Sequence, residues 1–247
     1  MNPEGSRITL VGTVHRDPLG AERLRPLLQR LQPGLLTVEM SETAFAYRQM
    51  EARRQSLRLE KLLRLPGPLL LDQLAAESGR SRQELDRHGA IADIRTLLAL
   101  PFEYREAAVY AAQAAIPLQL IDLCEVSARK LKKVESDLIT YRNLRILIEL
   151  PPQAERSPDE GYQAARAMVT ASPGETVRRS FLERRRGEEG IGPRDRWMAQ
   201  KIRHLLDACP GRHLVHIGGW VHLVEDDRGE TLYSLLADLH PERVLLG

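Results

Sequence analysis

Two short strings at opposite ends of the chain constrain its fold more than any other feature. His15 closes Leu-Val-Gly-Thr-Val-His, and His222 closes His-Ile-Gly-Gly-Trp-Val-His. With 17 glycines and 7 histidines among 247 residues, chance readily produces a Gly-x-x-His spacing, so the spacing is not the signal. The signal is that each string is an apolar, β-branched run reading as a buried strand, with the histidine just past its end, where open α/β sheets collect ligands. If the two strands are neighbours, chain ends more than 200 residues apart meet in one sheet, and the two imidazoles form a metal pair or an acid/base pair.

The intervening pattern predicts the rest of that sheet. Arg7 to Val14 reads as a first strand, Asp17-Pro18 as a helix start, and Leu24, Leu27, Leu28 and Leu31 as the buried stripe of a helix ended by Pro33-Gly34. Gly34 to Met40 is a second strand, making a βαβ unit of residues 7–40. A third strand is expected at Leu118 to Asp122, a fourth at His213 to Gly218 and a fifth at Arg243 to Leu246. Helices are expected from near Pro101, over Glu125 to Leu150, from Pro193 to Ala208 and over 230–239. Breaks are expected at Pro66-Gly67-Pro68, Pro151-Pro152 and Ser172-Pro173-Gly174. The expected architecture is a single α/β domain over 1–247. Its mostly parallel central sheet is built from both ends of the chain, with large helical insertions at about 41–98 and 124–190.

Composition narrows the function classes. A net charge of +2, from 36 basic and 34 acidic residues interleaved along helical stretches, argues against a nucleic-acid partner. No window approaches the roughly 18 apolar residues of a membrane span, and the N-terminus has no apolar signal region. Cys124 and Cys209 lack metal-knuckle spacing and read as core thiols of a reducing compartment, hence a cytoplasmic protein. A chain of this size is also compatible with a homodimer.

The residues suited to chemistry cluster at the expected strand ends. Glu39 follows the apolar run Leu-Leu-Thr-Val with no adjacent base to neutralise it, and should lie near His15 if the first two strands are adjacent. Glu103 begins an Ala-rich helix, Asp122 closes the third strand, and Arg194-Asp195 open the helix whose core stripe is Trp197, Met198 and Ile202. His213 and His216 lie three apart in a strand, face opposite sides, and read as structural.

These features together resemble the TraB/PrgY family, within the superfamily that includes the Tiki metalloproteases, the GumN proteins, the erythromycin esterases and the haem-binding ChaN-like proteins. The resemblance lies in Gly12-Thr-Val-His15 followed by Val-Glu39, in the Glu103 helix leading to a strand ending Ile-Asp122, in Arg194-Asp195-x-x-Met198-Ala199, and in Gly219-Trp-Val-His222. The four motifs keep their order over residues 7–225. Leu123 stands where the family has arginine, Pro193 where it has glutamate, and Trp220 where it has a small residue.

The resemblance implies a metal-dependent hydrolase acting on peptide bonds. In it His15, His222 and Glu39 would hold a divalent ion (Mn, Co, Zn or Fe), and Glu39, Glu103 and Arg194 would act in catalysis. Gly12, Gly219, Asp122 and Asp195 would support them. Imidazole and carboxylate donors suit such ions, which lower the pKa of bound water to about 7. Two other readings stand beside it: a non-catalytic protein sequestering a peptide or a haem/iron ligand, and a metal-free, esterase-like hydrolase using a histidine base. Either hydrolase takes a peptide or small-molecule substrate. A helix-rich interaction scaffold is a further alternative.

Overall fold

A computed structural model of the protein describes residues 7–64, 70–133, 139–149, 158–171, 173–187 and 189–247. The elements run β1 (Ile8–Thr13), α1 (Gly20–Leu31), β2 (Leu35–Val38), α2 (Glu42–Met50), α3 (Ala52–Arg64), α4 (Leu70–Ser78), α5 (Arg82–Asp86), α6 (Gly89–Leu98), α7 (Phe102–Ala114) and β3 (Leu118–Leu120). They continue with α8 (Cys124–Lys133), α9 (Tyr141–Glu149), α10 (Pro158–Ala165) leading into a π turn, α11 (Glu175–Glu183), α12 (Pro193–Ala208), β4 (Leu214–Gly219), α13 (Leu232–Leu235) and β5 (Glu242–Leu245).

The five strands form one all-parallel sheet in the order β3-β2-β4-β1-β5. The α/β architecture and its assembly from both ends of the chain are as expected. The neighbour relation of β1 and β2 is not: β4 lies between them, pairing Gly12 with Gly218 on one side and Val38 with Ile217 on the other. Consecutive strands of a βαβ unit need not pair, and the apolar run of β4 is the one that fills the gap.

Local chemistry also moves several boundaries. Asp17 does not open a helix at Pro18. Its Oδ1 accepts from Leu19 N at 2.9 Å and its Oδ2 from Arg23 Nη1 at 3.0 Å, so the chain turns first and α1 starts at Gly20. The single helix expected over Glu125 to Leu150 is two, α8 and α9; residues 134–138 and 150 lie outside the described ones, as do the expected breaks at 66–68, 151–152 and 172.

The chain divides into two compact units. The first comprises the described residues of 1–42, 102–126 and 156–247 and contains the whole sheet. On one face Ile8, Leu10, Leu35 and Leu214 pack with Met198 and Ile202 of α12 and Leu232 of α13. Glycine at 20 lets α1 close on α7, since an added Cβ would lie 2.4 Å from the Phe102 ring. The second unit comprises the described residues of 43–101 and 127–155 and has its own apolar centre, with Leu59, Leu85, Ile91, Ile94, Leu98, Leu144 and Ile148 buried together. Residues 158–190, which the sequence places in the second insertion, group with the sheet.

Candidate functional site

Seven of the residues singled out from sequence meet at the carboxyl ends of β1, β2 and β4, all within the first unit: His15, Glu39, Glu103, Asp122, Arg194, Asp195 and His222. Glu39 is the hub. Its Oε1 lies 2.5 Å from Arg194 Nη2 and 3.2 Å from His222 Nε2. Its Oε2 accepts from Gly219 N at 2.7 Å and lies 3.9 Å from His15 Nε2.

Glu39 reaches His15 across an intervening strand because that strand ends in bare backbone. A Cβ on Gly219 would sit 2.9 Å from His15 Nε2, and one on Gly218 would sit 2.9 Å from Glu39 Oε2. Side chains from β1 and β2 therefore meet over the glycines of β4. Gly12, paired with Gly218, does similar service: a Cβ there would lie 3.0 Å from the Trp220 Cα.

Each imidazole is oriented through Nδ1 by a carboxylate. His15 Nδ1 is 2.9 Å from Glu103 Oε1, and Thr13 Oγ1 lies 3.0 Å from that same oxygen. The loop carrying His15 is fixed from beneath: Tyr162 accepts from Val14 N at 3.3 Å and donates to Asp17 Oδ2 at 3.1 Å. His222 Nδ1 is 2.7 Å from Asp195 Oδ1. Asp195, in the first turn of α12, also accepts from Gly192 N at 3.3 Å and Leu232 N at 2.7 Å, so one buried carboxylate caps the helix and aims the histidine. Arg194, beside it, grips Asp122 with Nε and Nη2, both at 2.8 Å. Its fork is committed to Asp122 and Glu39, which makes it an organiser of acids.

The electrostatics follow from this crowding. Burial works to raise the Glu39 pKa, but the charges on His222 and Arg194 outweigh it and hold the carboxyl well below its ordinary range. For His222, burial opposes protonation, yet Glu39 and Asp195 push its pKa up to about 10. Desolvation likewise opposes protonation of His15, and the Glu103 hydrogen bond and the Glu39 charge outweigh it. His15 has 57% of its side chain open to solvent, so water screens its shift far more than that of His222, which is 7% exposed.

This donor set does not fit the divalent ion suggested by the resemblance. The Nδ1-anchored imidazoles have the orientation of metal ligands, but the carboxylate between them is already satisfied, by a guanidinium and an imidazolium on one oxygen and an amide on the other. An ion there would sit against the Arg194 charge and need His222 to give up its proton. Among the described residues, no three His, Cys, Asp or Glu side chains stand grouped around an ion position.

The site also contains two residues that sequence reasoning passed over. Gly218 was read only as the end of a strand, and His216 as structural, yet both border Glu39. The alternation of β4 was the available signal, since it puts His216 and Gly218 on the same face. No family model matches the chain, and no curated protein or solved structure is significantly similar to it.

Proposed function

We propose that this centre adds water to a carbonyl group, as a hydrolase of esters or amides, peptides included, with His15 as general base. The observation that carries the reading is the asymmetry of the two imidazoles. His222 is buried between two acids, whereas His15 is backed by Glu103 and has most of its side chain open to solvent. Glu103 accepts the Nδ1–H, which selects the tautomer with its lone pair on Nε2. Glu39 Oε2, 3.9 Å from that nitrogen, is beyond direct hydrogen bonding but close enough to share a water with it.

In the reaction, His15 Nε2 takes a proton from that water as its oxygen bonds to the substrate carbonyl carbon. The imidazolium is stabilised by Glu103 and Glu39, and then returns the proton to the leaving alcohol or amine as its bond to carbon breaks. Arg194 and His222 hold Glu39 ionised throughout. The resemblance to the TraB/PrgY superfamily, which includes an esterase branch, supports this chemistry. Among the described residues no helix is long and apolar enough to cross a membrane.

The test is turnover of an ester and peptide panel by wild type and His15→Ala, with and without chelator and with added Mn²⁺, Co²⁺ or Zn²⁺. Wild-type activity should survive chelation, and His15→Ala should lose about 10²–10⁴-fold. Activity that appears only with stoichiometric metal would restore the metallohydrolase reading, and peptide binding without any turnover would favour sequestration.

A further inference from the structure

His216 lies midway along β4, paired with Leu10 and Thr37, in a strand otherwise made of apolar residues and glycine. It is fully buried, and its Nδ1 is 3.0 Å from the hydroxyl of Thr37, which is itself fully buried. Its Nε2 is buried without a hydrogen-bond partner. A leucine or phenylalanine here would remove the unpaired Nε2 but would leave the Thr37 hydroxyl without its partner, so the histidine satisfies one buried group while its own second nitrogen stays unpaired.

The ring's tautomer follows from its neighbours. Were Nδ1 to carry the proton, the buried Thr37 hydroxyl would be pressed into the acceptor role, and a nitrogen lone pair would face a carboxylate. With Thr37 donating to Nδ1, the hydroxyl proton is used and Nε2 becomes an N–H donor. Glu39 is the carboxylate near that donor: a Cβ on Gly218 would lie 2.9 Å from His216 Nε2 and equally 2.9 Å from Glu39 Oε2, so the two atoms lie on either side of bare glycine, no further apart than twice that distance. In an interior without water to screen it, the N–H dipole attracts the carboxylate. The ring is neutral, as burial pushes its pKa down to about 4.

We propose that His216 is a positioning residue of the centre, its Nε2–H facing Glu39 Oε2 over Gly218 and keeping that carboxylate turned toward His15. This rests on the reading of His15 as general base, and it adds a role acting through Glu39 alone. His216 has no exposed surface. It is the third imidazole of the centre and the one that need never change its protonation.

Two experiments test it. In the first, kcat of a folded His216→Phe should fall on the order of tenfold to a hundredfold from a misplaced carboxylate while KM changes little, with circular dichroism as the folding control. His216→Gln, which returns an N–H at similar reach, should recover part of the loss. A His216→Phe protein with wild-type kcat overturns the proposal, and so does an equal loss in His216→Gln. The second needs no substrate: ring ¹H–¹⁵N spectra of the wild type should show His216 protonated at Nε2, with that proton shifted in Glu39→Gln. A ring protonated at Nδ1, or a proton indifferent to Glu39, overturns the proposal even if His216→Phe fails to fold. If His15→Ala keeps full activity, the hydrolase reading fails separately while the spectra still decide the role of His216.

Discussion

Arg194 ties together two acids of the site. It faces Asp122 and Glu39, both nearly buried, and its own pKa is raised because their charges outweigh the burial that opposes it. Removing one member of a buried ion pair leaves the others uncompensated, so Arg194→Met should cost about 3–5 kcal/mol. Urea denaturation should show this as a lower midpoint at unchanged slope. Arg194→Lys should recover part of the stability and leave activity low, because an ammonium cannot hold Asp122 at two points. The paired groups also shape the pH dependence. Glu39 has a depressed folded pKa, so its contribution is complete above its ordinary value and is lost as pH falls through the lowered one. His222 has a raised one, so its contribution is complete below its ordinary 6.5 and is lost as pH rises toward about 10. Melting temperature should therefore be greatest in mildly acidic buffer and decline through the alkaline range, a decline that His222→Asn flattens. Activity should run the other way over the lower part of that range, rising as His15 loses its proton at a pKa above the ordinary one.

At the level of elements, the end of β4 decides whether there is a site. Gly218→Ala would put a methyl 2.9 Å from Glu39 Oε2 and from His216 Nε2, and 3.1 Å from the Glu39 Cβ. It should destabilise by about 1–3 kcal/mol and cut activity sharply. Gly34→Ala, where the nearest atom would be at an ordinary 3.5 Å, should change neither. Calorimetry and initial rates on the two variants check the contrast. The same region shows what a sequence can and cannot reveal. His15, Glu39 and His222 stand out because chemistry-bearing residues follow apolar runs, and such runs report burial locally. The order β2-β4-β1 does not stand out, because it is set by pairing across some 200 residues and leaves no local trace. Without that order, Gly218 looks like punctuation and His216 like core. Asp195 was legible as a first-turn acid, but its three buried partners come from the residue before α12, the turn after β4 and α13.

At the scale of the whole molecule, the described residues include one apolar centre under the sheet and another among α3 to α6 and α9. Ile91 is fully buried in the second, and truncating it should cost about 2–5 kcal/mol there. Hydrogen exchange on Ile91→Ala should show amides of 89–98 and 141–149 losing protection while those of β1 and β4 keep theirs. Equal loss in β1 and β4 would mean that the two centres unfold as one cooperative unit.

The place of β4 in the chain has a consequence for how the protein is made. The middle strand of the sheet is encoded by residues 214–219, after β1, β2 and β3 and before the edge strand β5. Until that stretch leaves the ribosome, β1 and β2 have no strand to join them, and their inner edges are open to pairing with any other extended chain. Glu39 meanwhile has neither Gly219 N nor His222 to meet. The nascent protein should therefore need shielding until β4 has emerged, and its cluster of acids and imidazoles cannot assemble before its own sheet is closed.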